Sequence, residues 1–109
     1  MASVNWEQLL KDMVAAAGDA VHEHGGEVLT CLRSRLQVIA HLAAETHNDY
    51  VEGYITKEQY EELHQDLERL RAGAIRVCET YGAAVVQAAL NAAIAKLWEV
   101  LRGAITAAT

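Results

Sequence analysis

Residues 82–105 read GAAVVQAALNAAIAKLWEVLRGAI, and where this stretch buries its apolar side chains decides the fold. At 100° per residue, Val86, Leu90, Ile94, Leu97, Leu101 and Ile105 centre near about 20° on a helical wheel, with Trp98 on the same apolar side. The upstream apolar stripe, from Tyr60 to Ala92, centres near about 190°. Between Ala83 and Ala95 the two faces overlap, so the helix is apolar almost all round and calls for burial from more than one direction. One neighbouring helix does not supply that. Either the chain breaks near Gly82 and folds back to complete a four-helix bundle within one subunit, or the distal segment packs on another subunit. No cap residue restarts a helix after Gly82, and the Ala-rich surface suits close helix approach, so the sequence favours the second. Val86, Leu90, Ile94, Leu97, Trp98, Leu101 and Ile105 are then the expected interface, as a homodimer seam or, with similar weight, a docking face for another protein.

Upstream of this stretch, Thr56 and Gln59 form a capping box, with Ile55 and Tyr60 at the hydrophobic-staple positions. Apolar residues then recur every eleven positions, as in Leu63, Ala74, Val85 and Leu67, Cys78, Ala89. An earlier arm opens with Asn5 as N-cap, Gln8 completing a second box, and Val4 placed to staple against Leu9. It carries the same spacing, in Trp6, Ala17, Val28, Ile39 and in Leu10, Val21, Leu32, Ala43. A repeat of eleven is about 3.67 residues per turn and keeps a stripe on one side of a nearly straight helix. Gly25-Gly26 interrupts the first arm at roughly 1 kcal/mol per glycine, but the register continues, which favours a kink over a chain reversal. Between the arms, HNDYVEGYIT (47–56) loses the periodicity.

The expected fold is therefore a single all-α domain over residues 1–109, a long antiparallel helical hairpin. Arm one covers about 5–48, the turn about 49–55 and arm two about 56–106, each arm about 60–75 Å long if unbroken. Dimerisation is expected to complete a four-helix bundle, since a two-helix hairpin alone buries little core.

Composition agrees. Ala supplies 20 of 109 residues, Pro and Phe are absent and aromatics make up 6%, which favours helix over sheet. A hydrophobic fraction of 52% supplies enough apolar surface to fold. The net charge of -6 disfavours nucleic acid and anionic lipid. No run reaches the roughly 20 apolar residues of a bilayer span, the nearest being Gly82 to Ala95, and the first residues carry Glu7 and Asp12 where a secretion signal needs an apolar core. A cytoplasmic location without membrane contact is expected. Cys31 and Cys78 make no metal or CxxC spacing; a bridge between the arms is geometrically conceivable, but in the cytoplasm they are expected as reduced packing residues.

Among chemistry-bearing residues, His41 with Glu45 and Glu61 with His64 stand at helical-neighbour spacings, and folding at the turn brings the two pairs near each other. Glu61-Glu62-Leu63-His64 has the ExxH spacing by which di-iron carboxylate bundles place two ligands inward. A metal site on His41, Glu45, Glu61 and His64 is the alternative reading. Against it, His41 and Glu45 lie near about 140–180°, away from a stripe centred at roughly 300°. Met13, His24, Arg35 and Thr46 form a third row bordering the core, where Arg35 either pairs with a carboxylate or meets a partner. His22-Glu23-His24 points its two imidazoles nearly opposite ways on a helix, a poor chelate. No nucleophile–base arrangement and no Gly-rich phosphate loop stands out. The sequence thus points to a small non-enzymatic, cofactor-free helical protein that self-associates and works by protein–protein contact as an adaptor, regulator or inhibitor.

Overall fold

The computed structural model describes residues 3–21 and 25–108. Helix α1 spans Trp6–Val21, α2 Gly25–Val51, α3 Lys57–Glu61, α4 Leu63–Cys78 and α5 Ala83–Ala108, with a 3-10 turn at Glu79–Tyr81. The chain is all-α, with no strand among the described residues. Glu62 keeps right-handed helical backbone at φ -62° and ψ -19°, so α3 leads into α4 with almost no change of course.

Three sets of side-chain contacts give the directions of the helices. Asn48, near the end of α2, accepts from the Val4 N–H at 2.8 Å and donates to the Val4 carbonyl at 3.0 Å, which sets α1 and α2 antiparallel. Cys31 early in α2 meets Cys78 at the end of α4. Arg71 of α4 donates to Asn91 of α5, and His64 stacks on Trp98 further along, so these two also run antiparallel. The result is an up-down-up-down bundle in which α5 returns alongside α1, its most extensive neighbour.

The apolar stripes meet inside. Leu9, Met13 and Ala17 of α1, Leu32, Leu36 and Ile39 of α2, Leu63, Leu67 and Ala74 of α4, and Val86, Leu90, Leu97 and Leu101 of α5 are all buried. Each of these four helices supplies one stripe of a shared core.

This corrects the long hairpin. The molecule measures 41 × 22 × 17 Å, whereas unbroken arms would reach about 60–75 Å. Both arms are folded in half. In the first, α1 ends at Val21 and α2, which opens with the Gly25-Gly26 pair that was expected only to kink the arm, runs antiparallel to it; the His22-Glu23-His24 reading and His24 of the third row lie outside the described residues. The eleven-residue rows still mark the core: Leu10, Val21, Leu32 and Ala43 are all buried although a reversal divides them. Helices in a nearly straight bundle share one pitch, so matching phase does not establish continuity.

The second arm breaks at Gly82, whose φ of +105° disfavours any residue with a Cβ. Its carbonyl accepts from the Val86 N–H at 3.0 Å, so Gly82 itself opens α5. Glycine is an acceptable N-cap without a side-chain oxygen, which is why no Ser, Thr, Asp or Asn marks this restart.

The other helix ends follow their sequence signals. Gln59 N–H donates to Thr56 Oγ1 at 3.1 Å and Thr56 N–H to Gln59 Oε1 at 2.8 Å, a complete capping box. At Asn5 half of the box forms: Gln8 N–H donates to Asn5 Oδ1 at 3.0 Å, while the Gln8 amide turns to Asp12. Helix α2 closes in a Schellman motif, with Tyr54 N–H donating to the Asp49 carbonyl at 2.8 Å and Gly53 N–H to Tyr50 at 3.1 Å. Gly53 takes the required left-handed conformation at φ +82°.

Cys31 and Cys78 form a disulfide, which corrects their expected reduced state. Their Cα atoms lie 6.0 Å apart on facing helices, within the range a bridge spans. Helix α5 also changes the hydropathy reading, since Ala83–Ile105 is long and apolar enough, by length and composition, to cross a bilayer. In the bundle about a third of this segment is buried (33%), with Val86, Leu90, Leu97 and Leu101 in the core, so core packing accounts for part of that hydropathy.

Candidate functional site

The expected interface of α5 faces inward. Val86, Leu90, Leu97 and Leu101 are buried, and Ile94, Trp98 and Ile105 are half-buried. The fold-back of α5 onto α1 covers Val86, Leu90, Leu97 and Leu101 within one chain and leaves Ile94, Trp98 and Ile105 partly exposed.

The four metal-site residues separate into two aromatic stacks and two exposed carboxylates. His41 stacks on Trp6 with ring centroids 3.7 Å apart, and His64 on Trp98 at 4.0 Å. Glu45 and Glu61 are exposed. Among the described residues no three His, Cys, Asp or Glu side chains converge to hold a metal ion. Each imidazole instead lies flat on an indole, packing the edge of one helix onto the next.

Among the described histidines the one that enters the core is His47, which is fully buried and absent from the expected site. Its Nδ1 lies 3.3 Å from the Tyr60 hydroxyl, and Tyr50 packs on Tyr60 with centroids 4.6 Å apart. The signal was present: His47 stands eleven positions after Leu36, on a core row. Burial, then the neighbouring Tyr50, raises the Tyr60 pKa above its ordinary 10.0. The unfolded chain therefore ionises first at high pH. The stability tied to the neutral phenol is complete below pH 10 and is lost as the pH climbs through the raised folded value. Tyr60→Phe should flatten the alkaline fall in urea midpoint; an unchanged slope would show that this phenol does not contribute.

Outside the core, α2 and α4 frame a shallow groove. Arg35, Val38, Arg69, Leu70, Arg76 and Val77 line a hollow of about 230 Å³, and Leu42 and Asp66 extend it past Arg69. Val38 and Val77 are 51% and 52% exposed, an unusual position for aliphatic side chains on both walls of one groove. Arg69 pairs with Asp66. Arg35 and Arg76 have no carboxylate partner among the described residues, where the ion pair suggested by the row of Arg35 is not found. Three of the chain's nine Lys and Arg residues thus meet one acidic residue here, in a chain with 15 acidic side chains. The disulfide joins the same two helices, with Cys78 next to Val77.

A second hollow, of about 450 Å³, lies between α1 and α2 and is lined by Trp6, Leu10, Lys11, Val14, Arg33 and neighbours.

No protein-family model matches the chain, and no curated protein or solved structure is significantly similar to it.

Proposed function

We propose that the protein acts by protein–protein contact, using the α2–α4 groove to hold an acidic amphipathic helix of a partner. The observation that carries this reading is the pairing of exposed Val38 and Val77 with Arg35 and Arg76, two cations without carboxylate partners among the described residues of an otherwise acidic chain. Apolar side chains supply the area for a helix laid in the groove, and arginines select acidic flanks by forked hydrogen bonds to carboxylates. The same charges repel a basic helix, so the groove discriminates as well as attracts. The disulfide between α2 and α4 supports work in an oxidising compartment over the cytoplasm; free thiols on alkylation of protein taken directly from its native source would count against that location.

Fluorescence anisotropy with a synthetic helix of Leu at i, i+3, i+4 and i+7 and Glu at the flanks tests the groove, with a Lys-flanked copy as control. The Glu helix should bind, and Arg35→Glu with Arg76→Glu should weaken it at least about tenfold, equivalent to about 1.4 kcal/mol. Absence of binding, equal binding of the Lys helix, or indifference to the reversals would remove the reading. A dimer that the same reversals dissolve would assign the groove to a second copy of the chain.

A further inference from the structure

The α1–α2 hollow lies on a different helix pair from the docking groove and has a different chemistry. Its walls are the indole of Trp6 and the aliphatic side chains of Leu10 and Val14, with Lys11 and Arg33 on opposing helices. The volume of about 450 Å³ falls in the range that accepts small organic ligands. Trp6 is held in place from behind, because its ring stacks on His41 at 3.7 Å. The two cations are exposed and form no ion pair among the described residues. Glu7, one turn before Lys11, also lines the hollow without pairing to it, so the local formal charge is one positive unit. An apolar wall with two cations from facing helices matches an amphiphile with one anionic head: the tail covers Leu10 and Val14, and the head sits between Lys11 and Arg33.

We infer that the α1–α2 hollow is a binding site for a monomeric amphipathic carboxylate, its tail against Trp6, Leu10 and Val14 and its carboxylate held by Lys11 and Arg33.

The chain has two tryptophans, so a Trp98→Phe background leaves Trp6 as the sole indole reporter in the hollow. In that background, decanoate below its micelle concentration should change Trp6 fluorescence saturably, with decanol and decyltrimethylammonium at least about tenfold weaker. Lys11→Ala with Arg33→Ala, both at exposed positions, should weaken decanoate by a similar factor while leaving the melting temperature nearly unchanged. Non-saturable change, equal response to all three amphiphiles, or equal affinity in the double variant would overturn the site. A response to anionic vesicles in place of decanoate would also overturn it, by showing a lipid surface as the ligand. If Trp98→Phe does not fold, isothermal titration of the parent chain with the same three amphiphiles decides the matter by the same criteria.

Discussion

Leu97→Asp is expected to unfold the whole chain. Leu97 is fully buried in α5, the helix that lies along α1, among Leu90, Leu101 and the other side chains of the common core. The substitution removes a leucine whose burial contributes about 1.5–3 kcal/mol and places an unpartnered carboxylate in apolar surroundings at a further cost of several kcal/mol. Small domains are stable by only about 5–15 kcal/mol in total, so most of the margin disappears. Loss of the far-ultraviolet helical signal, or collapse of the urea midpoint, is the readout. Ala95→Asp, at an exposed position on the same helix, should change the midpoint little. A Leu97→Asp chain that keeps its helicity and midpoint, and merely falls from dimer to monomer mass, would restore the intersubunit seam.

Opening the disulfide should have the second-largest effect. Cys31 and Cys78 are separated by 47 positions, and closing a loop of that length restricts the unfolded chain by about 4 kcal/mol in the chain-entropy account. Reduction, or Cys31→Ala with Cys78→Ala, should lower the melting temperature by upwards of about 15 °C. The alanine pair tests the bridge without adding a buried hydroxyl at Cys78, which has no exposed surface. Equal melting of the oxidised and reduced chains would show that the bridge does not constrain the fold. The same comparison bears on the α2–α4 groove, since the bridge joins its two walls.

Local chemistry made the helices and most of the core legible. The Thr56/Gln59 box and the eleven-residue rows need only neighbours along the chain, and both are present as read. The need for cover over Val86, Leu90, Leu97 and Leu101 was likewise legible, because amphipathicity is written in the sequence. The identity of the cover was not. It depends on whether the chain reverses at Gly82, where a glycine caps α5 through its backbone alone and leaves no side-chain signature. The stacks of His41 on Trp6 and His64 on Trp98 were hidden for a related reason: the partners are 35 and 34 positions apart and meet only across helices. Arg35 and Arg76 likewise become neighbours in one groove through the pairing of α2 with α4. Pairing Cys31 with Cys78 required the 6.0 Å Cα separation, and expecting a reducing compartment pointed the other way.

The central claim is that α5 turns back at Gly82 and lies over α1 within one chain. Small-angle X-ray scattering across a concentration series tests it most directly. The account predicts a largest dimension close to the 41 Å backbone extent, plus about 5–10 Å for side chains and hydration, with a radius of gyration a little above the 13.9 Å of the Cα trace. A particle about 60 Å long or more at the mass of a single chain would contradict the fold-back and reinstate two unbroken helical arms.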